Sequence, residues 1–483
     1  MNNMYRNSSR LFILLAGLVL AALSFTSHSE PKAHILKPFA NLSAESQDCA
    51  ACHKDKHTSL YQQWGRSKHY GANVGCYECH VADEADADAI EHEGYTIAVI
   101  VSPKDCAQCH SKEVEEFSAS HHAKAGKILG SLDNMLAEVV EGALTFNGQS
   151  PAAVSGCWQC HGSVVKVMEN GDLDPTTWPN TGIGRINPDG SVGACTACHQ
   201  RHEFSMVQAR RPEACGKCHL GPDHPQKEIY EESKHGINFY ANVDRMNMES
   251  SKWVVGEDYD AAPTCATCHM SATKRLGITH DVGDRISWTL RPAISEKIDA
   301  KDIANGKESK PWQERRADME AVCESCHSSG MVESFYMQFD ALVELYNEKF
   351  ARPGAGIMAE LKKHEMITEQ PFDEEIEWTW FYLWHHEGRR ARHGAAMMAP
   401  DYVQWHGMYE VAERFYIELV PQTIELIEKA EHAGNTEGAE AVRKVLEEIL
   451  SRPEHAWFSG TEDPKVKAAR EKAQKEFKER YVQ

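Results

Sequence analysis

The chain has 483 residues and a formal net charge of −21, from 51 Lys and Arg against 72 Asp and Glu. This length is enough for two or three domains. The acidic balance disfavours a nucleic-acid partner, because phosphate binding requires clustered Lys and Arg. A basic or dipolar protein partner would instead be steered towards such a surface.

The N-terminus has the pattern of an export signal. Arg6 and Arg10 precede an apolar run at 11–25, which is too short for a comfortable membrane span. We therefore expect residues 1–29 to be a cleaved signal peptide, with an uncleaved anchor as the alternative. Since no later stretch has the pattern of a membrane span, we expect the mature protein to be soluble and periplasmic.

All sixteen cysteines fall in one motif, Cys-x-x-Cys-His, which occurs eight times. In this motif two thiols bond to the vinyl groups of a haem, and the following histidine binds the iron. Zinc ribbons lack the regular histidine, and a thioredoxin-like motif would occur once. The sequence therefore predicts eight covalently bound haem c groups. The motifs are Cys49/Cys52/His53, Cys76/Cys79/His80, Cys106/Cys109/His110, Cys157/Cys160/His161, Cys195/Cys198/His199, Cys215/Cys218/His219, Cys265/Cys268/His269 and Cys323/Cys326/His327.

The motif-bearing region, residues 30–330, is expected to fold around its haems rather than around an apolar core. The Asn-Pro-Asp-Gly sequence at 187–190 predicts a tight turn. The acidic stretch 82–93 predicts a solvated loop or helix face. Strand signals are weak throughout, so the predicted fold class is mainly α.

Residues 331–483 form a second predicted region, composed of long helices that suit oligomerisation. Apolar residues at helical spacing predict a helix that stops at Pro353-Gly354. Four further helical segments are predicted: an aromatic helix at 376–386, a long helix at 402–432 kinked at Pro421, an amphipathic helix at 442–450, and a charged segment at 464–480 that is exposed or packs on a partner.

A haem that only transfers electrons commonly has a second axial histidine. Eight of the 26 histidines lie in the motifs, and seven others have suitable local contexts. Seven such ligands would leave one of eight irons open to a small molecule. Any of them could instead be an ordinary surface or hydrogen-bonded histidine, as we interpret His57, His92, His364, His432 and His455. The seven candidates are His69, His122, His202, His235, His280, His386 (with His385 as its alternative) and His393.

Four segments carry a resemblance to the octahaem hydroxylamine oxidoreductase family, which includes hydrazine dehydrogenase. They are 195–204 (Cys-Thr-Ala-Cys-His-Gln-Arg-His-Glu-Phe), 218–224 (Cys-His-Leu-Gly-Pro-Asp-His), 262–270 (Ala-Pro-Thr-Cys-Ala-Thr-Cys-His-Met) and 401–407 (Asp-Tyr-Val-Gln-Trp-His-Gly). Together with the spacing of the eight motifs, they extend the likeness over nearly the whole mature chain.

The resemblance implies that the fourth haem is catalytic, with His161 as its sole protein ligand and Asp223 and His224 on its open face. It also implies a homotrimer in which Tyr402 of one subunit bonds covalently to the catalytic porphyrin of the next. Alternatively, Asp223-His224 is a capped turn and Tyr402 an interface tyrosine without such a bond. His406 and Tyr409 lie on the same segment as Tyr402 and could also reach the site.

The implied activity is oxidation of hydroxylamine to nitric oxide or nitrite, with electrons passing through seven bis-histidine haems to a cytochrome c-type acceptor. Because this oxidation also releases protons, His224 suits the role of base and Asp223 that of its orienting partner. The alternatives are reduction of nitrite or hydroxylamine to ammonium, oxidation of hydrazine, and a pure electron conduit with His224 as an eighth distal ligand.

Overall fold

The computed structural model describes residues 41–128, 139–142, 147–300, 302, 305–306 and 309–481. From Ser43 onward the described residues belong to one compact unit. The predicted signal peptide lies outside the described residues. Within the described ranges, no helix is both long enough and apolar enough to cross a membrane.

The fold is mainly α, as the sequence predicts. Two small antiparallel sheets are described: Ala89–His92 pairs with Tyr95–Ala98, and Trp288–Thr289 pairs with Glu296–Lys297. The first corrects the prediction for the acidic stretch 82–93, part of which is a strand. Glu93 and Gly94 both have positive φ, at 51° and 89°, which is the geometry of a two-residue hairpin turn.

Helices in the motif-bearing part are short, and several coincide with a haem motif. Thr264, for example, accepts a hydrogen bond from Thr267 N and so starts the helix of the seventh motif. The predicted turn at 187–190 is confirmed, because Gly190 N donates to Asn187 O at 3.0 Å. The described helical segments are Ala44–Lys56, Thr58–Arg66, Lys68–Gly71, Tyr77–His80, Pro103–Cys106, Ser111–Ala119, Ala125–Ile128, Ala153–Cys157, Trp158–His161, Cys195–Ala197, Met206–Arg210, Pro212–Gly216, Gln226–Glu232, Lys234–Ala241, Val243–Arg245, Cys265–His269 and Trp312–Cys323.

A long helix spans 329–363, in three consecutive segments: Ser329–Tyr346, a π-helical turn at Asn347–Ala351, and Arg352–Lys363. The predicted stop at Pro353-Gly354 is therefore wrong. Proline has no backbone N–H to donate, which normally ends a helix. The π-turn changes the hydrogen-bond register just before Pro353, so this missing donor falls in the first turn of Arg352–Lys363, where proline is tolerated. Gly354 is needed for packing, because a Cβ there would overlap the ring of Trp380.

The other predicted helices are confirmed, with longer bounds. The 375–397 helix consists of Glu375–Phe381, a π-turn at Tyr382–Glu387, and Gly388–Met397. The 400–432 helix consists of Pro400–Val403, Gln404–Tyr409 (π), Glu410–Glu413, Arg414–Leu419 (π) and Val420–His432. Its second π-turn immediately precedes Pro421, where the sequence predicts a kink. The remaining segments are Thr436–Leu450, Pro453–His455, Ala456–Ser459 and Pro464–Tyr481.

The largest apolar core lies among these later helices. Leu361, Phe415, Leu419 and Val442 are each 0% exposed within it. The last helix, Pro464–Tyr481, buries none of its residues, which agrees with its predicted exposure. Smaller apolar clusters lie around Trp253 and between Trp288 and Val343.

Candidate haem-binding site

The eight motifs all lie in described residues, and none of the sixteen cysteines is in a disulfide. A single cavity of about 2550 Å³ is lined by cysteines of seven motifs, from the second to the eighth. Six motif histidines line the same cavity, among them His161 and His219. Unpaired thiols, imidazoles and a large internal space are what covalently attached haems require, so the residues present fit this group.

The first motif lies apart from the cavity that the other seven motifs line. Cys52 is exposed and Cys49 is half-buried, and neither is among the residues that line the cavity. The reason is the position of the helix Ala44–Lys56, which buries only Ser46 and Ala50 and leaves the side of Cys52 open. The thiol of Cys52 is therefore accessible at the protein surface.

Four motif histidines each have a second imidazole opposite them at the spacing of two axial ligands. A metal–imidazole bond is about 2.0 Å, so two axial rings hold their centroids roughly 6 Å apart. The pairs are His53 with His92 at 6.1 Å, His80 with His202 at 6.4 Å, His110 with His69 at 6.2 Å, and His327 with His235 at 6.0 Å.

Two further motif histidines lie near non-motif histidines: His199 lies near His280, and His269 lies near His122. Burial lowers the pKa of His199 to about 4, and the adjacent His280 lowers it further. Burial also lowers the pKa of His122 to about 4, with Arg291 and then His269 contributing. His280 is positioned by Glu116, whose Oε2 accepts a hydrogen bond from His280 N at 2.9 Å.

His219 of the sixth motif lies in a group of four histidines. Its ring centroid is 6.0 Å from that of His122 and 6.1 Å from that of His224. Gln226 contacts both His219 and His393, with its Nε2 at 3.4 Å from Nε2 of His393. This group joins the sixth motif to the Asp223-His224 segment.

The structure places His92, rather than His386, opposite a motif histidine. His386 lies on the 375–397 helix and packs against Phe381, Tyr382 and His385. His92 ends the first strand of the hairpin, and the hairpin brings it to His53. The only sequence signal for this placement is the Glu-Gly pair at 93–94, which is typical of a two-residue turn.

Several motif histidines have their Nδ1 atom engaged, which leaves Nε2 for iron. Nδ1 of His80 is 2.8 Å from Ala98 O, and Nδ1 of His269 is 3.2 Å from Val282 O. Nδ1 of His53 is 2.8 Å from Nδ1 of His57. His57 therefore contacts the ligand of the first motif, although its local sequence indicates only a surface histidine.

The fourth motif is braced by the loop that follows it. Ile183 N donates to Cys160 O at 3.0 Å, and Gly184 N donates to His161 O at 3.1 Å. Gly182 allows this close approach, because a Cβ there would overlap the backbone of Gly162. The motif is thus fixed on one side by backbone alone, and Cys160 and His161 line the cavity.

Asp223 and His224 line this cavity beside the fourth motif. Oδ1 of Asp223 is 2.6 Å from Nδ1 of His224, and Oδ2 is 3.3 Å from Nη1 of Arg389 and 3.9 Å from Nε2 of His385. Burial raises the pKa of Asp223, but His224, His385 and Arg389 outweigh burial and hold the pKa below its usual value. Asp223 is therefore an ionised carboxylate.

His224 also lies close to the fourth motif's second cysteine. A hydrogen bond from Cys218 lowers the pKa of the Cys160 thiol against the effect of burial, and nearby His224 contributes to the lowering. The structure thus brings Asp223, His224 and Cys160 together. His385 and Arg389 join them from the 375–397 helix, a contact for which the local sequence has no signal.

Tyr402 lies in the first turn of the 400–432 helix and is not among the residues that line the cavity. Its backbone packs tightly on Gly394 and Gly407, where a Cβ would clash with it. Burial raises the pKa of Tyr402, and Glu228 and Glu232 raise it further.

An exposed surface with several large apolar side chains adjoins Tyr402 on the same helix. Trp405 is 58% exposed, Tyr409 50%, Ile417 67% and Ile424 43%. We call these four residues the helix patch.

Comparison with known proteins agrees with the motif chemistry. Residues 189–372 match the family model described as "Seven times multi-haem cytochrome CxxCH", and residues 105–184 match "Cytochrome c554 and c-prime". The chain is a multihaem c-type cytochrome. The cytochrome carries covalently bound haem c, as its families do.

Two curated relatives are similar to part of the cytochrome. A "Probable nitrite reductase-hydroxylamine oxidoreductase fusion protein" of Kuenenia stuttgartiensis is 26% identical over 381 residues, which cover 65% of this chain and 41% of the relative. "Multiheme cytochrome MtrA" of Shewanella baltica is 26% identical over 191 residues, which cover 38% and 49%. The cytochrome thus spans less than half the length of these relatives.

Two solved structures share its fold. A "Hypothetical multiheme protein" aligns with a TM-score of 0.70 and 27% identity, over 82% of the cytochrome and 97% of that chain. A chain of a "reducing HAO-like protein complex" of Kuenenia stuttgartiensis aligns with a TM-score of 0.59 and 19% identity, over 81% and 87%.

Proposed function

We propose that the cytochrome oxidises hydroxylamine, to nitric oxide or nitrite, at the haem held by Cys157, Cys160 and His161. The observation that carries the proposal is the Asp223-His224 pair, which adjoins Cys160 and lines the same cavity as His161. An imidazole beside a haem, held by an ionised carboxylate, is suited to accept protons that leave a substrate together with electrons.

The residues of the site have separate roles in proton removal. When bound, the haem supplies iron for the substrate nitrogen and a route for its electrons. Nδ1 of His224 faces Asp223 at 2.6 Å, so Nε2 is the atom that accepts a proton. Asp223 stabilises the resulting imidazolium, and Arg389 and His385 keep Asp223 ionised.

The other seven haems are proposed to be bis-histidine electron carriers that lead to a cytochrome c-type acceptor. Support comes from the imidazoles placed near six motif histidines, and from Gln226, which links His393 to the seventh, His219. In this assignment His92 takes the place that the sequence suggested for His386. The first haem, attached through Cys49 and Cys52, is the one with neither cysteine in the cavity lining, so it is proposed as the haem that meets the acceptor. The proposed pairs are His53–His92, His80–His202, His110–His69, His199–His280, His219–His393, His269–His122 and His327–His235.

The proposed assembly is a periplasmic homotrimer. Residues 1–29 would be removed on export, residues 30–330 would bind the haems, and residues 331–483 would supply the interface. Tyr402 of one subunit would bond to the catalytic porphyrin of the next. This is supported by the position of Tyr402 outside its own chain's cavity lining and beside the exposed helix patch.

The direct test replaces the proposed base in the haem-loaded protein. His224→Ala should lower hydroxylamine turnover by about 10²-fold or more, because general-base catalysis contributes about that factor. His432→Ala is the matched control, since His432 is exposed and its Nδ1 contacts only the carbonyl of Glu428 among its described hydrogen bonds. Full turnover in His224→Ala would overturn the assigned role.

Reduction of nitrite or hydroxylamine to ammonium is the second candidate. It is favoured by the likeness to the relative named for nitrite reductase and to the chain of the reducing complex. Hydrazine oxidation would use the same site, whereas a pure electron conduit would need His224 as a ligand. Electron paramagnetic resonance that shows only low-spin, six-coordinate haems would favour the conduit.

The Tyr402 cross-link separates oxidation from reduction. Mass analysis of the denatured protein should show covalently joined chains in the wild type and single haem-bearing chains in Tyr402→Phe. Tyr409→Phe is the control, because Tyr409 lies on the same helix and is 50% exposed. Single chains in the wild type would place reduction first.

A further inference from the structure

Three carboxylates meet in the loop before the 375–397 helix, away from the haem motifs. They belong to Asp373, Glu374 and Glu377, and one carboxylate oxygen from each lies within 4.8 Å of the other two. Neither the proposed reaction nor the electron path uses them. Like charges this close repel one another, so the cluster requires compensation.

The described residues compensate only part of the negative charge of these three carboxylates. Glu377 is only 7% exposed, and its Oε2 is buried without a hydrogen-bond partner. Oε2 of Glu374 is also buried without a hydrogen-bond partner. Lys362 Nζ lies 3.8 Å from the other oxygen of Glu377, and its side chain is 49% exposed. A buried carboxylate oxygen without a donor is costly, so it is a strong sign of an unfilled ligand position.

The remaining polar groups of the loop are oxygen ligands or support them. Thr368 Oγ1 is 3.0 Å from both carboxylate oxygens of Asp373 and 3.5 Å from Gln370 O. Thr368 N donates to Oε1 of Glu374 at 2.7 Å, which fixes that carboxylate.

The helix dipole alone does not explain the cluster. Acidic residues are favoured in a first helical turn, and Glu375 and Glu377 both occupy the first turn of Glu375–Phe381. Glu375 is exposed, so the dipole and water are sufficient for it. Glu377 is buried, and the dipole does not supply a donor to its Oε2.

We propose that Asp373, Glu374 and Glu377 bind a divalent cation of the calcium type. The ligand atoms are all hard oxygens, and they are supplied by a loop and the first turn of a helix, an irregular arrangement that suits Ca²⁺ better than Mg²⁺. The cation would hold the loop to the start of the helix that carries His385, Arg389 and His393. Its binding does not depend on the direction of the proposed redox reaction.

The test uses the full-length, haem-loaded protein after treatment with a chelator. Calorimetric titration with CaCl₂ should give a dissociation constant below about 1 mM, the upper limit of protein calcium sites. Thermal unfolding should occur at a higher temperature with Ca²⁺ than with EDTA, because a ligand that binds only the folded state stabilises it.

Glu377→Gln and Glu375→Gln are matched variants, because they make the same change two residues apart and only Glu377 is buried. Glu377→Gln should bind Ca²⁺ at least about tenfold more weakly, whereas Glu375→Gln should bind like the wild type. If Glu377→Gln does not fold, as judged by its haem spectrum, Asp373→Asn at the exposed end of the cluster should show the same loss. Absence of Ca²⁺ binding in the wild type, equal affinity in both variants, or tighter binding of Mg²⁺ than of Ca²⁺ would overturn the proposal.

Discussion

The part of the chain that carries the haem motifs and the helices that follow it have opposite interiors. In the first, short helices surround most of a cavity of about 2550 Å³ lined by thiols and imidazoles, and the later helices complete its lining with residues such as Phe335, Arg389 and His393. In the second, long helices bury a continuous apolar core that includes Leu361, Phe415 and Val442. The comparison teaches that one polypeptide has two sources of stability, cofactor attachment in one part and side-chain packing in the other.

Withholding haem should have the largest effect and should separate the two parts. An empty cavity destabilises a protein by about 24 cal/mol per Å³. At that rate, the free-energy cost of leaving this cavity empty would be several times the stability of a typical domain, which is about 5–15 kcal/mol. We expect the chain produced without haem attachment to lose protection from hydrogen exchange before residue 329 and to keep part of it in the later helices. Equal protection in both parts would contradict the comparison.

A substitution in the apolar core should be the next largest effect. Phe415 is fully buried against Phe350, with ring centroids 5.5 Å apart. Phe415→Ala should lower the free energy of unfolding by about 3–5 kcal/mol, measured by denaturant titration. Ile417→Ala, two residues away and 67% exposed, should change it by less than about 0.5 kcal/mol.

Loss of one axial ligand should alter a single haem. His92→Ala should convert one haem from low spin to high spin, because His92 lies opposite His53. His386→Ala should leave the haem spin states unchanged, since the described contacts of His386 are with aromatic side chains of its own helix. Electron paramagnetic resonance distinguishes the two variants. A spin-state change in His386→Ala and none in His92→Ala would instead assign His386 as the ligand.

The smallest predicted effect concerns the pH dependence of turnover. Burial raises the pKa of Asp223, but His224, His385 and then Arg389 hold it below its usual value. Activity that needs ionised Asp223 is therefore present above this lowered pKa and is lost as the pH falls through it. Arg389→Ala should raise the pKa of Asp223 and so move the acidic limb of the pH–rate profile to higher pH. It should also lower kcat by about tenfold.

Arg390→Ala is the control for that profile. Arg390 lies next to Arg389 on the same helix, but its Nη2 contacts Glu410 at 2.7 Å. The acidic limb of the pH–rate profile of Arg390→Ala should lie at the same pH as that of the wild type. A shift of equal size in both variants would mean that general charge near the site, rather than contact with Asp223, sets the profile.

Much of the fold followed from local sequence, with two instructive exceptions. The helices at 375–397, 400–432 and 436–450 were predictable because their apolar periodicity agrees with the core that they bury. The helix at 329–363 was not, because proline normally ends a helix and the π-turn before Pro353 is a tertiary adjustment. The hairpin at His92 was missed because its strands are only four residues long and the first lies in a stretch with many acidic residues.

The sequence by itself determined the cofactor chemistry and the mainly α class. Both depend on short-range patterns: two cysteines and a histidine within one turn, or apolar residues at helical spacing. Only the tertiary structure decided which motifs line the cavity, which histidines lie opposite four of the motif histidines, and which residues hold Asp223. Cys52 has the same local pattern as the enclosed cysteines and is nevertheless exposed. His92, His385 and Arg389 reach their partners across chain separations that no local pattern encodes, because folding, and not sequence proximity, brings these side chains together.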